Sequence, residues 1–167
     1  AHTSISQIAE VRTVHFRHLL ATRNLSAAGK AGLSFIQGLF TVPYPLQALL
    51  FSDQREIKRI ESIVESFNPD VVFVESERSY FLISALRKRW PKLRIVCDVD
   101  DLMSQRMAEW SRHDNAISFG YMARYIPNAL QKLLAGPLAG TLCRYEASSL
   151  EGIEQQLLEL CDQVVLL

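Results

Sequence analysis

Two spacings of apolar residues alternate along the second part of the chain. Across residues 52–67, apolar side chains recur every three or four positions opposite charged ones, which predicts an amphipathic helix with Ser52 or Asp53 as its cap. Residues 79–90 and 142–160 predict two further helices. Short runs rich in Val and Ile lie between these helices and are typical of strands buried on both faces. The predicted strands are residues 71–74, 95–98 and 164–166.

The alternation of helices and strands defines the expected fold class. Strands separated by helices usually pair in parallel, through right-handed crossovers. Residues 52–167 are therefore predicted to form an α/β fold, an open parallel sheet with helices on both faces. Residues 1–51 show helical spacing and are assigned to the same single domain, residues 1–167. Glu146 is predicted to lie near the start of the long helix, where a negative charge suits the helix dipole.

Composition narrows the class of protein. The 167 residues are 49% hydrophobic, enough for one globular core. Eighteen Lys and Arg balance eighteen Asp and Glu, so the basic excess typical of nucleic-acid binders is missing, and no nucleic-acid partner is expected. The three cysteines show no metal-binding spacing and are interpreted as buried, reduced thiols of a cytoplasmic protein. Pro43 and Pro45 interrupt the uncharged residues 33–52, which argues against a membrane-spanning helix.

Charged side chains follow two of the predicted strands directly. The sequence ESERS (75–79) follows the first strand, and DVDDLMSQR (98–106) follows the second. Because ligands bind beyond the carboxyl ends of strands in open parallel sheets, both stretches are predicted to line one cleft. Such a cleft suits a ligand with many hydroxyl groups, such as a sugar. The candidate binding residues are Glu75, Glu77, Arg78, Asp98, Ser104 and Arg106.

The carboxylates at positions 98, 100 and 101 allow two interpretations. In the functional one, a carboxylate orients or deprotonates a reacting hydroxyl, a contribution of roughly 10²–10⁴-fold. In the structural one, the carboxylates are solvated and cap the following helix. For Arg78 and Arg106, the structural alternative to ligand binding is an ion pair with these carboxylates. No metal site is expected among these residues.

Three stretches of the chain, in this order, resemble the N-terminal half of a GT-B glycosyltransferase. They are VPYPLQALLFSDQREIKRIESIVESFNPDVVFVESERSYFLI, RIVCDVDDLMSQRM and RYEASSLEGIEQQLLELCDQVVLL, within residues 42–167. In that family, a strand with an acidic or His motif at its end lies between a D-V-V strand and a helix that begins with Tyr-Glu. The resemblance implies a Rossmann-like, acceptor-binding domain, with a C-terminal donor domain that would lie beyond Leu167.

The resemblance also implies a function. The complete enzyme would move a sugar from a nucleotide-sugar donor to a hydroxyl of a glycan, a lipid or another acceptor, as in polysaccharide biosynthesis. The family's His is replaced by Asp100 or Asp101, so a catalytic role is implied for one of them, with Asp100 preferred. A D-x-x-D-x-x-S alignment selects Asp98, Asp101 and Ser104 instead. The family's glycine-rich first loop is not in this chain, which is interpreted as a fragment without activity or a cofactor of its own.

Further hypotheses concern partners and an alternative function. The basic and aromatic residues at 87–94 and 118–134 are typical of contact with an anionic membrane, so peripheral attachment to the inner face of the membrane is one hypothesis. The alternative function is a non-catalytic α/β module that binds a ligand or a partner at its acidic strand ends. A receiver-like domain is disfavoured because no Lys follows the last predicted strand.

Overall fold

The computed structural model describes residues 12–15, 44–99, 101–112, 128, 132, 136 and 139–166. Among these residues, two helices precede the first strand, one helix lies between the first and second strands, and two lie between the second and third; a short 3₁₀ helix follows the first strand. The elements are α1 (Leu46–Leu50), α2 (Gln54–Phe67), β1 (Val71–Glu75), the 3₁₀ helix (Glu77–Ser79), α3 (Tyr80–Arg89), β2 (Arg94–Val99), α4 (Met103–Arg112), α5 (Ala139–Leu160) and β3 (Gln163–Leu166).

The boundaries of α2 follow from its flanking residues. Asp53 is the N-cap, because its carboxylate accepts a hydrogen bond from the backbone N–H of Arg55 at 3.0 Å. Asn68 ends the helix in the left-handed conformation, with a φ of 47°, and its N–H donates to the carbonyl of Val64 at 2.8 Å. The predicted helix is confirmed, and Asp53 rather than Ser52 is its cap.

The three strands form one parallel sheet in the order β1-β2-β3. Glu75 at the end of β1 is the register partner of Asp98 on β2, and Asp98 is the partner of Val165 on β3. The predicted strands and their parallel pairing are confirmed. The carboxyl ends of β1 and β2 therefore lie side by side.

One face of the sheet carries the main core. Buried strand residues such as Val74 and Ile95 pack there with side chains of α2, α3 and α5. On the other face, the β1 side chains of Val71 and Phe73 are 44% and 62% exposed. The sequence predicts helices on both faces of the sheet. Among the described residues, no helix covers the second face at β1.

The long helix α5 joins two cores. Its residues Ile153 and Leu157 belong to the main core, whereas Leu150 packs with Met103 and Met107 of α4 in a second, smaller core. Through α5, the segment that follows β2 is held against the body of the domain.

The prediction about Glu146 needs a correction. Helix α5 begins at Ala139, so Glu146 lies in its third turn instead of at its start. Its side chain is buried, and its carboxylate accepts the backbone N–H groups of Leu46 and Gln47 at 2.8 and 2.9 Å. Glu146 therefore caps the N-terminus of α1, a different helix, and its negative charge interacts with the dipole of α1 instead of that of α5.

Residues 1–11 and 16–43 lie outside the described residues, and so does most of the predicted helical region. Residues 12–15 show no regular secondary structure. Val14 packs against the main core, and the carbonyl of His15 accepts a hydrogen bond from Arg59 at 2.8 Å.

Candidate functional site

The polar residues that follow β1 and β2 lie at one edge of the sheet. We call residues 75–79, 98, 99 and 101–106 the strand-end site; Asp100 lies outside the described residues. The backbone N–H of Ser76 donates to the carbonyl of Asp98 at 2.8 Å, which continues the β1–β2 pairing one residue past Glu75. The predicted juxtaposition of the two strand ends is therefore present in the structure.

Ser76 has a strained backbone. Its φ of 74° and ψ of 139° lie in a region that residues with a side chain rarely adopt, at a cost on the order of 1–3 kcal/mol. The side chain offsets part of this cost, because its hydroxyl accepts the N–H of Arg78 at 3.3 Å and donates to the carboxylate of Glu77 at 3.2 Å. At this turn the chain leaves β1 and enters the 3₁₀ helix, whose first residue is the buried Glu77.

Glu77 is the most deeply buried acid of the site, with 3% of its surface exposed. Burial raises the pKa of Glu77 above its ordinary value of 4.5, and the negative charge of Glu154 raises it further. Its own backbone N–H, the positive charge of Arg78 and the hydroxyl of Ser76 oppose this rise in pKa.

Unpaired polar atoms mark the same place. Among the described residues, the buried side-chain polar atoms that lack a hydrogen-bond partner are Glu77 Oε1, Arg78 Nε and Asp98 Oδ1. All three belong to the strand-end site. Leaving a buried donor or acceptor unpaired costs about 1–3 kcal/mol, so an unpaired set of this kind indicates a place where a ligand or water completes the hydrogen bonds.

Arg106 is engaged in an ion pair. Its guanidinium binds the carboxylate of Asp101, with both side chains nearly half exposed. This is the ion pair that the structural alternative for Arg106 expects, and it neutralises one of the acidic charges at this edge. Exposed pairs of this type contribute at most about 1 kcal/mol to stability.

Ser104 is buried near the start of α4 and binds a residue that the sequence analysis missed. Its backbone N–H and hydroxyl donate to the two carboxylate oxygens of Glu154 on α5, at 3.0 and 2.5 Å. The N–H groups in the first turn of a helix have no partner within the helix, so Glu154 supplies one from outside. The spacing of α5 indicates that Glu146 is buried, because Glu146 lies four residues before the buried Leu150 on the same face of the helix. The spacing does not indicate that Glu154 binds Ser104.

The candidate residues differ in what surrounds them. Glu75 is exposed at the rim, while Glu77, Arg78 and Asp98 contribute the unpaired atoms. Asp101 and Arg106 bind each other at the surface, and Ser104 faces α5.

The positive charge of Arg78 acts on two buried acids. Burial raises the pKa of Glu77 and of Glu146, and Arg78 opposes part of each rise.

The described residues contain no group of three or more His, Cys, Asp or Glu side chains arranged to hold a metal ion. None of the helices in the described parts of the chain is both long and apolar enough to cross a bilayer. The described cysteines, Cys97, Cys143 and Cys161, are free and buried, as the sequence predicts.

Comparisons of the chain with protein-family models, curated proteins and solved structures find no match.

Proposed function

We propose that this chain is the acceptor-binding, Rossmann-like domain of a GT-B glycosyltransferase, which moves a sugar from a nucleotide-sugar donor to a hydroxyl acceptor. The observation that carries the proposal is the set of unpaired atoms of Glu77, Arg78 and Asp98 at the carboxyl ends of β1 and β2. Ligands of open parallel sheets bind at this edge. Adjacent hydroxyl groups both donate and accept, so they match two carboxyl oxygens and one guanidinium N–H. The resemblance of residues 42–167 to the family supports the same function.

Each residue has a role in this proposal. Glu77 and Asp98 accept hydrogen bonds from acceptor hydroxyls, Arg78 donates one, and Glu75 contributes at the exposed rim. Because Arg106 binds Asp101, we keep Asp100 as the carboxylate that orients or deprotonates the reacting hydroxyl. In the complete enzyme, the donor binds a second domain, which would follow residue 167.

The proposal places the enzyme in the cytoplasm, where a lipid-linked acceptor would be reached at the inner face of the membrane. Exposed cations between the last turn of α3 and the start of β2 support contact with anionic lipid, because Lys88, Lys92 and Arg94 form no ion pair with another described residue. Arg89 is unlike them, since it binds Glu61 and Glu65.

A transfer assay with the full-length protein tests the function. Purified protein is incubated with uridine, guanosine and thymidine diphosphate sugars and with glycan or lipid-linked acceptors, and release of the nucleoside diphosphate is measured. The expected result is acceptor-dependent release, which Arg78→Gln reduces and Arg55→Gln, an exposed change on α2, does not. A parent gene without a second nucleotide-binding domain would overturn the proposal, as would the absence of release with every donor. Sugar binding without transfer would support the non-catalytic module instead.

A further inference from the structure

Glu154 contacts the segment that follows β2 through two hydrogen bonds. Its Oε1 accepts the Ser104 N–H at 3.0 Å, and its Oε2 accepts the Ser104 hydroxyl at 2.5 Å. Charge-assisted hydrogen bonds are roughly twice as strong as neutral ones, and a bidentate pair also fixes orientation. The start of α4 is therefore attached to α5 at one defined point, 50 residues further along the chain.

Helix α5 also contacts the 3₁₀ helix, which carries Glu77, the buried acid that follows β1. Burial raises the pKa of Glu77, and the negative charge of Glu154 raises it further. The other groups that act on Glu77 are Ser76 and Arg78 on its own segment, while the charge of Glu77 in turn raises the pKa of Cys97 on β2. Glu154 thus lies close to residues from both strand ends.

We propose that Glu154 is a positioning residue of the strand-end site: it holds Ser104, and with it the segment after β2, at a fixed place beside Glu77. That the ligand of the strand-end site is a sugar rests on the proposed function, but the role of Glu154 requires no contact between Glu154 and that ligand. Its carboxylate is already occupied by Ser104, whereas Glu77 has a free oxygen, Oε1. The charge of Glu154 acts on Glu77 through space even if Glu154 positions nothing, so the distinguishing variant is Ser104→Ala, which keeps that charge and removes one hydrogen bond of the attachment. A changed titration of Glu77 in Ser104→Ala supports the positioning role, and an unchanged one indicates a merely structural cap.

The first experiment measures the titration of Glu77 in the chain of residues 1–167. The carbon-13 shift of the Glu77 carboxyl group is followed by NMR against pH, with Glu77→Gln to assign the signal. Glu154→Gln keeps the shape and removes the charge, so the pKa of Glu77 is expected to fall. The matched control is Glu151→Gln, an exposed change on the same helix, which should leave it unchanged. An identical titration of Glu77 in wild type and Glu154→Gln would overturn the proposal.

The second experiment measures the attachment of Ser104 by amide hydrogen exchange. Glu154→Ala should speed exchange at the Ser104 amide by about tenfold or more, because the N–H loses its acceptor. Glu154→Gln retains a carbonyl oxygen and should restore most of the protection. If neither variant folds, Ser104→Ala replaces them: the N–H at position 104 keeps its acceptor, but loss of the hydroxyl's hydrogen bond should weaken the attachment and speed exchange there to a smaller extent. An unchanged exchange rate in the variants measured would contradict the attachment.

Neither experiment requires a donor or an acceptor sugar. Failure here would therefore leave the proposed transferase function standing, and failure of the transfer assay would leave the positioning role of Glu154 standing.

Discussion

The backbone N–H of Ser76 donates a 2.8 Å hydrogen bond to the backbone carbonyl of Asp98. This bond joins the end of β1 to the end of β2 at the residue where the backbone of the first strand turns. The turn has a positive φ on a residue with a side chain, and it leads directly into the buried Glu77. Backbone strain and unpaired polar atoms thus occur at the same edge of the sheet, a combination that is common at functional sites.

Substitutions at Ser76 should reveal the strain. Ser76→Gly and Ser76→Ala both remove the hydroxyl, but glycine adopts a φ of 74° without steric cost. We expect Ser76→Gly to be more stable than Ser76→Ala by about 1 kcal/mol in urea unfolding. At Ser62, an exposed position in the interior of α2, the order should reverse, with glycine less stable than alanine by about 1 kcal/mol. The same order at both positions would exclude strain at Ser76.

Removal of Glu146 should destabilise the fold. Glu146→Ala leaves the N–H groups of Leu46 and Gln47 without their acceptor, at a cost of about 1–3 kcal/mol. Glu146→Gln should cost less, because the amide oxygen still accepts one N–H. The control Glu151→Ala, on the exposed side of the same helix, should change the free energy of unfolding by no more than about 0.5 kcal/mol. Equal losses for the two alanine variants would contradict the capping role.

The raised pKa of Glu77 predicts a pH dependence of stability. An acid with a higher pKa in the folded state binds more protons when folded, so its contribution is fully present below pH 4.5 and is lost as the pH rises through the folded-state pKa. Glu77→Gln should therefore lose less stability than wild type between acidic and neutral pH. Glu75→Gln, an exposed change two residues away, should retain the wild-type slope. Unfolding is followed by circular dichroism at several pH values, and parallel wild-type and Glu77→Gln curves would refute the prediction.

The carboxylates after β2 are tested in the full-length enzyme. Asp100→Asn keeps the shape of the side chain and removes its charge. If this carboxylate orients or deprotonates the acceptor, kcat should fall by at least about tenfold, a barrier change of roughly 1.4 kcal/mol. Asp101→Asn should have the smaller effect, because Arg106 already neutralises Asp101. Full kcat and KM in both variants, with Asp70→Asn as an exposed control, would make these carboxylates structural.

Membrane contact is tested by flotation with vesicles. The full-length protein should float with vesicles rich in anionic lipid and not with neutral ones, and salt should weaken the binding by screening. Combined replacement of Lys88, Lys92 and Arg94 by Ala should abolish flotation. A triple alanine variant of three other exposed cations, Arg55, Lys58 and Arg112, should float like wild type. Equal flotation of both triple variants would exclude this surface, and no flotation of wild type would exclude membrane contact.

The sequence by itself determined the elements whose signals are local. Helix α2 is predictable because its cap at Asp53 and its apolar stripe lie within residues 53–67. The strands are predictable because short Val-rich runs separated by helices have few other ways to bury their side chains. Parallel pairing then brings Glu75 and Asp98 to the same edge, as expected from the order of the elements.

Only the tertiary structure decided which polar groups are buried and what they bind. Glu146 meets Leu46 across 100 positions of sequence, and Glu154 meets Ser104 across 50, so no local pattern contains either contact. The unpaired atoms of the strand-end site likewise depend on how α5 and the 3₁₀ helix pack around the strand ends. The physical reason is that hydrophobic periodicity acts over a few residues, whereas the desolvation of a charge depends on every element that surrounds it.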